Sequence, residues 1–108
     1  MKPEKVVFVD EELEEAFNQL NESDKIKKAL IKAIKDLEEE AFVGRNVKKK
    51  LIPKQLVQKY NLNNLWIYNL PSAWRMIYSL TPSEEVEIIA VILDWMNHKD
   101  YNKLFGFK

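Results

Sequence analysis

The apolar residues of the chain fall into stretches of different period, and the period predicts the element. Val6, Val7, Phe8 and Val9 form an unbroken β-favouring run that stops at Asp10, which predicts a short strand over residues 5–9. Asp10 is a good helix N-cap, and Glu11 and Glu12 occupy the first turn, where the helix dipole favours acids. Leu13, Ala16, Phe17 and Leu20 then share one helical face until Asn21 to Ser23 interrupt it. A longer helix is expected over residues 24–40, with Ile26, Leu30, Ala33, Ile34 and Leu37 as its apolar stripe and Lys and Glu outside. Two adjacent amphipathic helices predict an antiparallel hairpin.

From Gly44 to Asn64 the rhythm fades into a connector, within which Pro53 opens a candidate helical turn. Period two returns afterwards. Residues 65–70 predict a strand, Pro71-Ser72-Ala73 a tight turn, and residues 74–80 the returning strand of a β-hairpin. Alternation puts Trp74, Met76, Tyr78 and Leu80 on one face and Arg75, Ile77 and Ser79 on the other. A second turn is expected over residues 81–85, followed by a strand from Glu87 to Asp94, whose near-continuous apolar run suits a position covered on both sides. The predicted fold is α+β, in the order β-α-α-β-β-β: an N-terminal strand, a helical hairpin packed on one face, and a three-strand antiparallel meander. At 108 residues this is expected to be one domain, residues 1–108.

Composition narrows the chemistry. There is no Cys, which removes disulfides and thiolate metal sites, and the single His leaves only carboxylates to complete any other metal site. No metal or cofactor is therefore expected. The apolar run near the N-terminus is too short for a signal segment or a membrane span, so the expectation is a cytoplasmic protein with no membrane contact. The formal net charge is zero, but it is unevenly distributed: residues 1–40 carry 7 Lys against 12 acids, net −5, and residues 41–108 carry 10 Lys and Arg against 5 acids, net +5. Arg45, Lys48, Lys49, Lys50, Lys54 and Lys59 follow one another between residues 41 and 60 with no acid among them. Such a run faces phosphates in some proteins and is a solvated loop in most.

The C-terminal part carries a resemblance. The segments NLWIYNLPSAWRMIYSL, EIIAVILDW and NHKDYNKLFGF resemble the hairpin and final strand of the RelE/ParE toxin superfamily. Trp74-Arg75-Met76-Ile77-Tyr78 matches the aromatic-Arg-apolar-apolar-Tyr strand of that family, and His98, Lys99 and Tyr101 match its basic and tyrosine-bearing end. The resemblance implies a RelE-like toxin that cleaves mRNA on the ribosome without a metal, held inactive by a cognate antitoxin. It further implies that Arg75 neutralises charge on the phosphate, that His98 acts as acid or base, that Lys99 adds positive charge, and that Tyr101 donates a proton or stacks on a base. Arg45, Lys48, Lys49, Lys50 and Lys54 are then the candidate RNA contacts.

Each of these residues also has a plainer reading. A strand Arg is often paired with a carboxylate, a lone His is usually a surface or capping residue, and Tyr101 with Phe105 has the spacing to dock the C-terminal tail on the core. The alternative function is a catalytically inactive protein of the same fold that binds protein or nucleic acid.

Overall fold

A computed structural model describes residues 1–82 and 87–106. In chain order the elements are β1 (Lys5–Phe8), α1 (Glu11–Gln19), α2 (Lys25–Glu39), β2 (Arg45–Asn46), α3 (Lys54–Tyr60), β3 (Trp66–Asn69), β4 (Arg75–Pro82), β5 (Ile88–Met96) and α4 (His98–Phe105). Short 3-10 turns at Lys49–Leu51 and Pro71–Ala73 complete the list. The Asp10 and Asp24 side chains cap α1 and α2 by accepting from Leu13 N and Ile26 N. Lys27, only 5% exposed, joins the two helices: its Nζ donates to Phe17 O at 2.9 Å and lies 4.2 Å from the Phe17 ring centroid.

The α+β class is as expected, with two corrections to the architecture. The sheet has five strands among the described residues, in the order β1-β5-β4-β3-β2, rather than a lone N-terminal strand and a three-strand meander. The connector supplies the extra strand, β2, which pairs antiparallel with β3 through Arg45 opposite Ile67 and Asn46 opposite Trp66. At the other edge β1 runs parallel to β5, with Val6 opposite Ala90 and Val7 opposite Val91.

The second correction concerns layers. Helices cover both faces of the sheet, because both faces of its central strands are apolar and each must be buried. Leu30, Ala33 and Leu37 of α2 pack with Met76, Tyr78, Ala90 and Ile92 on one side. On the other, Leu56 of α3 and Tyr101 of α4 pack with Ile67, Ile77, Leu93 and Met96. The predicted C-terminal tail is thus a helix, capped by Asn97, whose Oδ1 accepts from Asp100 N, and ended by left-handed Gly106 (φ 75°). β4 extends to Pro82, while Ser83, Glu84 and Glu85 of the second predicted turn, and Phe107 of the resembling segment, lie outside the described residues.

Candidate functional site

The hairpin places Arg75. The tight turn allows Leu70 N to donate to Trp74 O, and it sets the register in which Asn69 opposes Arg75 and Ile67 opposes Ile77. Across the sheet Arg75 opposes Met96, the last residue of β5. The predicted alternation holds: Met76 and Tyr78 point to the α1/α2 side, Ile77 to the side of α3 and α4. Arg75 shares the latter side and stands at its rim.

Tyr78, on the buried side, fixes the approach of the neighbouring edge. Its hydroxyl donates to Ala41 O and accepts from Gly44 N, both at 2.9 Å. A Cβ at Gly44 would lie 2.6 Å from Ile67 O and 2.8 Å from the Tyr78 hydroxyl, so only glycine allows this close approach. Burial pushes the Tyr78 hydroxyl up to about 12, with the Gly44 amide opposing and Glu40 adding to the rise. The next residue along the chain is Arg45, which the clasp therefore delivers opposite Ile67 and onto the Arg75 side of the sheet.

Tyr101 joins the two arginines. It is buried at 5% exposure, the Arg75 Cζ lies 5.3 Å from its ring centroid, and the Arg45 Nη2 donates to its hydroxyl at 3.2 Å. Arg75 Nη1 also donates to Trp74 O at 3.1 Å, whereas its buried Nε has no hydrogen-bond partner among the described residues. No ion pair among the described residues involves either arginine. The Arg75 guanidinium thus lies near the Tyr101 ring and that of Arg45 bonds its hydroxyl, with no carboxylate paired to either among the described residues. Two guanidinium groups held by one tyrosine, one near its ring and one at its hydroxyl, suit an anion with several oxygens.

The remaining predicted residues are placed as follows. His98 and Lys99 open α4, two and three residues after the Met96 partner of Arg75, and both are exposed. His98 Nε2 lies 3.0 Å from Asn102 Nδ2, one helical turn on. Lys49, Lys50 and Lys54 line a shallow hollow with Ile52, Val57 and Leu62, and that hollow includes neither Arg45 nor Arg75. Lys48 precedes the 3-10 turn and is exposed. The structure therefore unites Arg45, Arg75 and Tyr101, sets His98 and Lys99 on the first turn of α4, the helix that carries Tyr101, and leaves the lysine hollow as a separate surface.

Sequence reasoning missed Asn69 and Asp94. Asn69 is exposed opposite Arg75, a pairing that counting outward from the Pro71–Ala73 turn would have found. Asp94 is reoriented by a β-bulge, for which the sequence carries no signal. It lines a cleft between α3 and α4 of about 600 Å³, together with Lys59, Tyr60, Ile77 and Asp100. Asp94 is an exposed residue, yet desolvation of its carboxyl against the cleft dominates and holds it above the usual carboxylate range; the Trp95 amide and Lys59 oppose this, and Asp10 and Asp100 add to it.

Among the described residues no group of three or more His, Asp or Glu is placed to hold a metal ion, and no helix is long and apolar enough to cross a membrane. Compared with family models, with curated proteins and with solved structures, the chain matches none.

Proposed function

We propose that the chain is a RelE-like toxin: an endoribonuclease that cleaves mRNA on the ribosome in the cytoplasm and is silenced by a cognate antitoxin. The observation that carries this reading is the pair of guanidinium groups, Arg75 and Arg45, gathered around Tyr101 with no carboxylate bonded to either among the described residues. In the reaction a ribose 2′-OH loses its proton and forms a bond to its own 3′ phosphorus. The bond to the 5′ oxygen breaks, leaving a 2′,3′-cyclic phosphate, and that oxygen takes up a proton. Charge accumulates on the phosphate oxygens, where two planar guanidinium groups act most strongly. Arg75 is the principal phosphate ligand. Arg45 contributes the second, and Asn69 opposite Arg75 offers a neutral donor.

Tyr101 is buried and engaged by both arginines, which suits a positioning role better than proton transfer. His98 is the acid-base group: it is exposed on the first turn of α4, and imidazole changes charge nearest neutrality. Lys99 beside it adds positive charge. The hollow of Lys49, Lys50 and Lys54, with Lys48 before it, is suited to holding RNA flanking the cut.

The test is expression of the chain without a partner, with primer-extension mapping of ribosome-bound mRNA. Wild type is expected to arrest translation with discrete cuts. Arg75→Ala should reduce cleavage roughly a hundredfold or more, the loss typical of one electrostatic group in a transition state, and Arg45→Ala should reduce it by less. Uncut mRNA and unchanged growth with wild type would refute the reading. One feature favours the alternative, an inactive binding protein of the same fold: β3 carries no Lys or Arg. In that case wild type and Arg75→Ala behave alike.

A further inference from the structure

The cleft between α3 and α4 has no part in the reaction proposed above, and its chemistry differs from that of the arginine rim. Leu56, Ile77, Met96 and Leu104 give it apolar walls. What points into it is decided by an irregularity in β5. Ile77 opposes Asp94 but Tyr78 opposes Ile92, so Leu93 is an extra residue. Ile92 belongs to the α1/α2 side, and unbroken alternation would send Asp94 there too. The bulge instead gives Asp94 to the cleft, on the same side as Leu93 and Met96.

No cation among the described residues bonds that carboxylate, which accepts instead from Trp95 N at 2.9 Å. Lys59, across the cleft, places its Nζ 5.1 Å from the centroid of the Tyr60 ring. A second hollow of about 220 Å³ shares Lys59, Tyr60 and Asp94 with the first and is bounded by Asp10 and Glu12. The cleft sets Asp94 and Asp100 against Lys59 and Lys103, and Asp10 and Glu12 of the adjoining second hollow add an excess of acid beside Asp94. This balance repels phosphate and attracts a cation. A guanidinium suits the walls better than an ammonium, because it is weakly hydrated, lies flat on apolar side chains and presents two donors to one carboxylate. Beyond Tyr60 the surface continues as a strip in which the half-buried Val9, Leu80 and Val91 alternate with Asn61, Asn63, Ser79 and Thr81. A free small cation would leave this strip uncovered, whereas a polypeptide would cover it.

We propose that the cleft between α3 and α4 receives an arginine side chain from a partner polypeptide, with the Asp94 carboxylate as its acceptor and the adjoining strip, part apolar and part polar, seating the flanking residues. Crowding of the Asp94 carboxyl agrees with a group that gains from a cationic partner.

The test uses the full chain, isotope-labelled, and an acetylated, amidated pentapeptide Leu-Ala-Arg-Ala-Leu beside a twin carrying the neutral isostere citrulline. The arginine peptide is expected to shift the backbone amides of Asp94, Trp95 and Met96 saturably, binding roughly tenfold or more tighter than its twin, as for a charge-assisted bidentate contact. In Asp94→Asn, which keeps an acceptor for Trp95 N, the two peptides should bind alike. N-acetylarginine amide should bind more weakly than the arginine peptide. The proposal is overturned by equal binding of the two peptides to wild type, by a preference that survives Asp94→Asn, or by the absence of saturable shifts. It is equally overturned if N-acetylarginine amide matches the peptide, or if guanosine monophosphate shifts the same signals more strongly. None of these outcomes bears on mRNA cleavage, which is read through Arg75.

Discussion

At the scale of single residues, Tyr78 has two functions. Its aromatic body fills the α1/α2 side of the core, and its hydroxyl ties the chain at Ala41 and Gly44 so that Arg45 arrives beside Ile67. Removing the hydroxyl leaves Gly44 N without its acceptor, so Tyr78→Phe should cost about 1–3 kcal/mol in urea denaturation. The same hydroxyl predicts a pH dependence. Because its folded value is raised to about 12, its contribution is complete below the unfolded value and lost as pH rises through the folded one. Wild type should therefore lose about 2–3 kcal/mol between pH ~10 and ~12 beyond what Tyr78→Phe loses over that range. Equal slopes for the two proteins would remove Tyr78 as the cause.

At the scale of elements, the β3–β4 hairpin holds the site in register through a strained turn. Ser72 and Ala73 have φ of 59° and 62°, the left-handed region that glycine occupies freely and other L-residues do not. Turns with two such residues match the strand twist and prefer Asn-Gly, yet here the pair is Ser-Ala. Ala73→Gly should therefore stabilise the protein by about 0.5–1 kcal/mol, the relief of left-handed strain less the added entropy of the unfolded chain. Thermal or urea unfolding of the two proteins checks this, and a destabilised variant would show that the turn is held by something other than its backbone. The strain stands next to Arg75, where a rigid register sets how the guanidinium meets Tyr101 and the end of β5.

At the scale of the whole molecule, the sheet separates two carboxyls shifted in opposite directions from the usual carboxylate range. On the α1/α2 side the Tyr68 hydroxyl donates to Asp36, and this bond, followed by that from Lys32, holds Asp36 below the usual carboxylate range. Its contribution is present at neutral pH and lost as pH falls through the lowered value. On the other side Asp94 is raised, so its contribution is present in acid and lost as pH rises. At pH 7 Asp36→Asn should lower the melting temperature and Asp94→Asn should raise it. The Asp94 effect should vanish in acid, where the wild-type carboxyl is also neutral. With the sheet between them, the effects should add to within about 0.5 kcal/mol in the double variant. A larger deviation would mean that the two faces are coupled through the strands.

Much of this was legible in the amino-acid pattern because it depends on local chemistry. The caps at Asp10 and Asp24, the stripes of α1 and α2, the hairpin around Pro71–Ala73 and the opposition of Arg75 to Met76 and Tyr78 follow from periodicity and turn residues over a few positions. The predicted helical turn after Pro53 is α3. What depends on distant pairing was not legible. A two-residue strand such as β2 has no period, and only the Tyr78 clasp and its partner β3 define it. The helix after β5 was read as a tail because its apolar face, Tyr101, Leu104 and Phe105, gains a purpose only once the second sheet face needs cover. Arg45 was one of six basic residues in a run until register placed it on the Tyr101 hydroxyl, and the bulge that turns Asp94 into the cleft arises from strand pairing alone. The sequence by itself determined the elements with a clear local period and the sides to which the residues of β4 point. Only the tertiary structure decided which charges meet, since side chains 26 or 56 positions apart are brought together by sheet register and not by spacing along the chain.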